Sequence, residues 1–292
     1  MEMKLSVALI VKNEEEMLKD CLETVKGADE IVICDTGSTD KTIEIAKKYT
    51  DKVFTDYQWN DHFGEAYTHA FSKCTGDWIL SIDADGRLER NGIKKIKDLI
   101  QVVPKEYDSI SYHIVKPNGL ISHTLPRICK KGTKWKYRVH ANPLVKRSFK
   151  SDIRVTAFYS PTHKKDPNRA LRMLELQREE MPDDTRTMFY LAREYSYKKR
   201  YVDAVELLDE YLGFNTWRAE RAEAYLLKAK CLWRMNRGEQ ARQSCLQAIY
   251  TNPEFKEAFL FMSAACYEPM RSTWSRHAEN CFNTDVLFHR VD

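Results

Sequence analysis

Apolar and polar positions alternate between two different rhythms along this chain, and the change falls near residue 166. Leu5–Val11 is a short, nearly continuous apolar run, the pattern of a strand buried on both faces. Residues 13–26 follow with Met17, Leu18, Cys21, Leu22 and Val25 on one helical face. The spacing then predicts a strand over Glu30–Asp35, a helix over Thr39–Tyr49 and a short strand over Lys52–Thr55. A helix over Glu65–Cys74 and a further central strand over Asp77–Asp83 complete the regular part. Strand–helix–strand order with apolar strands predicts a mostly parallel sheet covered by helices, an α/β fold. Residues 100–165 are less regular, with strand-like pieces at Ser109–Val115 and Arg154–Tyr159, and they read as completing that domain and covering its site.

From 166 onward helical patterns follow one another and no strand signal remains. Ala170, Leu174, Gln177 and Pro182 are echoed by Ala204, Leu208 and Tyr211, and again by Ala241, Cys245, Ala248 and Pro253. The steps between the alanines are 34 and 37 residues. A period of about 34 residues, with small residues where paired helices meet, resembles the tetratricopeptide repeat. The repeat is degenerate and its last unit, after Phe255, is partial. The expected organisation is an α/β domain over 1–165 and an all-α, tetratricopeptide-like domain over 166–292.

Composition narrows the class without naming a function. Apolar residues make up 43% and charged residues 31% of the 292, the balance of a globular protein. No window reaches the roughly 18 apolar residues that span a bilayer, and the opening run has no signal-peptide cleavage pattern. Eight cysteines are scattered without a C-x-x-C pair, which disfavours a zinc ribbon and fits a reducing cytoplasm. Net charge is only +4, but residues 130–154 hold nine Lys and Arg against Asp152 alone. Such a stretch would suit an anionic partner, or would simply be solvated.

Polar clusters sit where the predicted strands end: Lys12-Asn13-Glu14, Asp35-Thr36-Gly37-Ser38 and Asp83-Ala84-Asp85. Ligands of open α/β sheets lie beyond the carboxyl ends of the strands. In Asp83-Ala84-Asp85, two carboxylates one residue apart leave a buried strand on the same side. Side by side they repel, and a divalent cation held between them and a bound phosphate reverses the sign. Oxygen ligands suit Mg²⁺ or Mn²⁺.

Together, the stretches ALIVKNEEEMLKDCLETV, DEIVICDTGSTDKTIEIAKKY and TGDWILSIDADG resemble family 2 glycosyltransferases of the GT-A fold, in the branch with tetratricopeptide-like helices at the C-terminus. The resemblance runs on more loosely through LPRICKKGTKWKYRVHANPLV and DDTRTMFYLAREYSYKKRYVDAVELL. It implies a Rossmann-like, mostly parallel sheet, a nucleotide-sugar donor (usually a UDP-sugar such as UDP-glucose), a Mn²⁺ or Mg²⁺ ion and inversion at the anomeric carbon. By family position, Lys12, Asn13 and Glu14 border the base and ribose, and Asp35 accepts from the base. Asp83 faces the ribose or metal, Asp85 holds the metal against the diphosphate, Arg127 meets the donor phosphates, and His163 completes the metal shell. Each has a structural counterpart: Asp35 as a helix cap (though Ser38 or Thr39 is the better cap), Glu14 as first-turn charge, Lys12 and Arg127 as surface charge, His140 and His163 as packing residues. Trp59, Trp78 and Trp135 read as core.

Three departures bear on the chemistry. The family often carries Arg-Asn in the helix before the D-x-D strand, where this chain has Tyr67-Thr68. It usually has an acid after D-x-D, where Gly86 stands. Its Val-His-Glu reads Val139-His140-Ala141, so the usual carboxylate base is missing. His140 or Asp61 would then serve as base, since a sugar hydroxyl is a poor nucleophile near neutral pH. The acceptor stays open between an anionic one, such as modified DNA or a phosphorylated glycan, and a peptide held by the helices. The helices would equally suit a second copy of the chain. A non-catalytic scaffold is the alternative, opposed by the retained Asp35, Asp83 and Asp85.

Overall fold

A computed structural model describes residues 2–158, 160, 161 and 166–281. The chain divides into two compact units, Met1–Pro167 and Asn168–Asp292.

The first unit is built on an eight-stranded sheet. Its strands are β1 (Leu5–Val11), β2 (Glu30–Asp35), β3 (Val53–Phe54), β4 (Trp78–Ser81), β5 (Gly86–Leu88), β6 (Ser109–Val115), β7 (Ile121–Lys130) and β10 (Ser148–Ala157). The order across the sheet is β3-β2-β1-β4-β7-β6-β10-β5. β3, β2, β1 and β4 run parallel, and β7 enters antiparallel to β4. This is the mostly parallel, GT-A-like arrangement that the sequence implied. A separate two-stranded ribbon pairs β8 (Trp135–Lys136) with β9 (Asn142–Pro143).

Alternate residues of the central strands feed two cores. Leu5, Val7, Leu9, Ile31, Ile33 and Leu80 face α1 (Leu18–Val25) and α4 (Gly92–Val102), which bury Leu18, Leu22, Ile96 and Ile100. Ala8, Val32, Ile79 and Cys129 face α3 (Phe63–Ser72), which buries Ala66, Tyr67, Ala70 and Phe71. Truncating a fully buried residue such as Leu22 to Ala costs about 2–5 kcal/mol. The helix predicted over Thr39–Tyr49 is shorter, α2 (Thr42–Ala46), and the Asp40 carboxylate, rather than Ser38 or Thr39, takes the N–H of its first residue, Thr42. Ser38 instead accepts from the N–H of Asn13. The helix Gly92–Val102 and the ten-residue strand Ile121–Lys130 fall where the sequence pattern gave no regular element.

The second unit is all helical among its described residues: α5 (Arg169–Glu180), α6 (Thr185–Tyr197), α7 (Tyr201–Leu212), α8 (Arg218–Arg234), α9 (Gly238–Thr251), α10 (Lys256–Ala265) and α11 (Met270–Asn280). Ala204, Leu208, Tyr211, Ala241, Cys245 and Ala248 are all buried. The turns between α6 and α7 and between α8 and α9 pass through left-handed residues, Lys199 and Asn236, 37 positions apart. That step equals the one from Ala204 to Ala241, so turn and core repeat together.

Candidate active site

Register brings the three polar clusters to one edge of the sheet. Val11 lies beside Asp35, and Ala8 beside Ser81. Lys12-Asn13-Glu14, Asp35–Ser38 and Asp83–Asp85 therefore leave the sheet together. β7 runs the other way with Ile128 opposite Leu80, so Arg127 travels toward the same edge. Lys130, opposite Trp78, is carried toward the other edge, where it donates to the carbonyl of Lys105, and Lys131 to that of Thr75. The first two residues of the basic stretch thus lie at the end of the sheet away from the polar clusters.

Asp35 is 2% exposed. Its Oδ1 accepts from the N–H groups of Gly37 and Ser38, both at 2.9 Å, so it closes the turn after β2. Gly37, at φ 106°, supplies the left-handed backbone this turn requires. Asp35 Oδ2 is buried and has no hydrogen-bond partner. A buried acceptor left unmade costs about 1–3 kcal/mol, so this oxygen marks a place for a ligand donor. Asp35 is therefore not the cap of α2, whose first N–H goes to Asp40: one of its oxygens closes the turn and the other is left without a partner. Asn13, at φ 56°, accepts on Oδ1 from the N–H of Thr39 at 2.7 Å and so ties the first cluster to the second. Lys12 is exposed at the end of β1.

Asp83 is exposed and Asp85 half-buried. Burial first, then the charges of Asp83 and Glu14, push the Asp85 carboxyl up to about 7. The Asp83 carbonyl accepts from the Cys21 thiol at 3.4 Å, and the Asp85 carbonyl from the N–H of Phe158 at 2.9 Å. Arg87, directly after this loop, donates to the carbonyls of Ala84, Gly86 and Met17 and so fastens it to the start of α1. Gly86 is tightly packed: a Cβ would stand 3.0 Å from Ile82 Cγ1 and 3.1 Å from Val155 Cγ1, so these neighbours would have to shift by a few tenths of an ångström.

A buried layer lies behind Asp83. The Tyr67 hydroxyl donates to Asp83 Oδ1. The Tyr67 ring stacks on Trp135, with centroids 4.4 Å apart at 23°. The Arg127 guanidinium carbon lies 5.3 Å from the centroid of Tyr67 and 4.9 Å from that of Trp135. Arg127 Nη1 is buried without a hydrogen-bond partner. Burial pushes the Tyr67 phenol well above its usual range, so it stays a donor. Tyr112 braces the strand below, donating to the carbonyl of Ser81 at 3.2 Å.

His140 and Asp61 occupy two segments that are stitched together. Phe63 N–H donates to the Arg138 carbonyl, Gly64 N–H to the Tyr137 carbonyl, and Arg138 Nη1 to the carbonyls of Asn60 and Asp61. A Cβ on Gly64 would meet the carbonyl carbon of Lys136 at 2.8 Å, so only glycine allows this approach. Among the described residues, seven non-glycine positions have positive φ, and Asn13, Asp61, Tyr137 and His140 are four of them. Strained backbone of this kind gathers at functional sites. His140 is exposed, and Asp61 Oδ1 accepts from Trp59 Nε1 at 2.9 Å. Ala141, in place of the family glutamate, is buried in the same core cluster as Tyr67 and Trp135. His163 lies outside the described residues.

Residues 6–159, just over half the chain, match the family described as glycosyl transferase family 2. The chain belongs to that family. Among curated relatives, the SPbeta prophage-derived glycosyltransferase SunS of Bacillus subtilis is 26% identical over 235 residues, covering 73% of this chain and 55% of that protein. A TPR repeat-containing protein of Synechococcus elongatus is 44% identical over 87 residues, covering 29% of this chain and 21% of that one. This chain therefore spans between about a fifth and just over half of these relatives. In fold it is similar to residues 1–349 of S. aureus TarS, solved in complex with UDP-GlcNAc, at a TM-score of 0.52 and 15% identity over 85% of this chain and 91% of that one.

Tyr67, Arg87, Tyr112 and Ser160 are the site residues that sequence reasoning did not assign. Tyr67 carried a signal, as a departure from the family pair. The other three carried none, because their roles depend on which loops meet.

Proposed function

We propose that this chain is an inverting glycosyltransferase that moves a sugar from a UDP-sugar to an acceptor nucleophile. The single observation that carries the donor reading is Asp35 Oδ2, a buried acceptor without a partner at the sheet edge shared with Asp83 and Asp85. An imide N–H of a pyrimidine base is a donor of the right kind. The TarS structure of similar fold holds UDP-GlcNAc, which supports the same class of donor. Asn13 and Glu14 flank that place, and Lys12 extends from it into solvent.

Mn²⁺ or Mg²⁺ fits the donor set. Among the described residues no three His, Cys, Asp or Glu side chains form a ready-made metal cage. Mg²⁺ characteristically uses one or two carboxylates and completes its shell with water and substrate phosphates. Asp85, with Asp83, would hold the ion, and a bound cation would neutralise the diphosphate leaving group. His163 stays a proposed further ligand. Arg127, seated on Tyr67 and Trp135, offers a second positive charge to the phosphates. Opposite the leaving group, His140 or Asp61 would take the proton from the attacking nucleophile.

Residues 1–165 would carry this chemistry, and the tetratricopeptide-like residues 166–292 would recruit an acceptor or a second copy of the chain. No described helix is long and apolar enough to cross a membrane. All eight cysteines are free thiols, which supports a reducing, cytoplasmic setting. The test is nucleotide release from a panel of UDP-sugars with Mn²⁺. One donor should be turned over slowly without acceptor, and Asp85→Ala should abolish that turnover. A chain that binds and hydrolyses none of them is the scaffold of the alternative reading.

A further inference from the structure

Tyr67 stands where a cation is expected, yet its surroundings are those of a working part. It is 5% exposed, and α3 directs its hydroxyl to one oxygen of Asp83. Its ring is packed on Trp135 from one side of the cluster, and Arg127 lies over both rings. The neighbouring substitution fits the same purpose. Thr68 Oγ1 accepts from the backbone N–H of Trp135 at 2.9 Å and donates to the Gly64 carbonyl at 2.8 Å, which fixes Trp135 against α3. Tyr67 and Thr68 thus hold the same tryptophan, one by its ring and the other by its backbone.

Two physical consequences follow. A carboxylate with one oxygen engaged by a hydroxyl cannot rotate freely, so its second oxygen has a fixed direction. A guanidinium over two aromatic faces is attracted by both rings while its nitrogens stay available as donors. Arg127 Nη1 is such a nitrogen, buried and without a partner. An arginine at position 67 would set two guanidinium groups against each other in this layer. With tyrosine there, Arg127 of β7 is the cation that the described residues place over these rings.

We propose that Tyr67 is a positioning residue of the donor site: its hydroxyl orients Asp83 toward the donor, and its ring seats Arg127 against the donor phosphates. The inference rests on the UDP-sugar reading of this site. It assigns to Tyr67 a role exercised through Asp83 and Arg127 rather than by contact with the sugar.

The test compares wild type, Tyr67→Phe and Tyr67→Leu in the full chain. UDP affinity is measured by calorimetry with Mn²⁺ present, and the urea unfolding midpoint is measured without metal. Phenylalanine keeps the stack and removes only the hydroxyl. Tyr67→Phe should therefore weaken UDP binding tenfold or more, with a smaller shift in urea midpoint than Tyr67→Leu, which loses the stack as well. A merely structural tyrosine would move the midpoint and leave affinity alone. In metal-free protein, the urea effects of Tyr67→Phe and Asp83→Ala should be non-additive, because each breaks the same bond. Equal UDP affinity in wild type and Tyr67→Phe, or additive urea effects, overturns the inference and leaves the donor reading intact. Wild type that binds no UDP with Mn²⁺ overturns the donor reading and this inference with it.

Discussion

The hydroxyl of Ser160 donates to the carboxylate of Glu14 at 2.8 Å, across 146 residues of chain. Glu14 is in turn one of the two charges that raise Asp85. The end of the first unit therefore reaches back to fix an acid beside the D-x-D loop, and three carboxylates are held closer together than they would choose to be in solution.

This crowding has a measurable sign. In metal-free protein the Asp85 pKa of about 7 lies above its unfolded value of about 4. Its favourable contribution is thus present below about pH 4 and is lost as pH rises through 7. Asp85→Asn should stabilise the metal-free chain at pH 8, by on the order of 1–3 kcal/mol, and by much less at pH 5. Urea titrations at both pH values check this, and a wild-type-to-variant difference that does not change with pH would contradict it.

Asp35→Asn should separate the two tasks of that side chain. Asparagine keeps an oxygen for the N–H groups of Gly37 and Ser38 but offers an amide where the buried Oδ2 stands. UDP affinity should fall tenfold or more with the thermal midpoint little changed. Unaltered UDP binding would remove Asp35 from the base site.

The base assignment divides between two variants. His140→Ala should lower transfer by roughly two to four orders of magnitude, the usual worth of a general base, and leave UDP affinity in place. The acidic limb of the rate–pH profile should vanish with it. If Asp61→Ala alone has this effect, the role belongs to Asp61. A loss of UDP affinity in His140→Ala would move His140 to the donor side.

Restoring the family acid as Gly86→Asp should not improve the enzyme. The new Cβ meets Ile82, Val155 and the Asp83 carbonyl at 3.0–3.1 Å. Overpacking of this kind costs about 1–3 kcal/mol, and a third negative charge joins the loop. Differential scanning calorimetry should show a lower midpoint, and an unchanged one would mean that the pocket around Gly86 yields freely.

Much of this was legible in the sequence because it is local. The bounds of β1 and β2 follow apolar runs, since a strand buried on both faces leaves a nearly unbroken hydrophobic signature, and those of β6 follow the alternation of Ile110, Tyr112 and Ile114 with polar residues. β7 left no such mark: Ile121–Pro126 is exposed or half-buried, and only its end enters the core. The carboxylates announced themselves by following apolar strands. The layer behind them did not, because Tyr67, Arg127 and Trp135 come from a helix and two strands far apart in the chain. No spacing rule relates a tyrosine to an arginine sixty residues later.

The placement of β7 also bears on the order in which the first unit is made. Asp35, Asp83 and Asp85 belong to a β–α–β stretch complete within 85 residues, whereas Arg127 arrives only when a later strand inserts antiparallel beside β4. Contacts of long sequence separation form late, because loop closure precedes their reward. The carboxylate edge is thus expected to need only local closure, whereas seating Arg127 on Tyr67 closes a span of 60 residues.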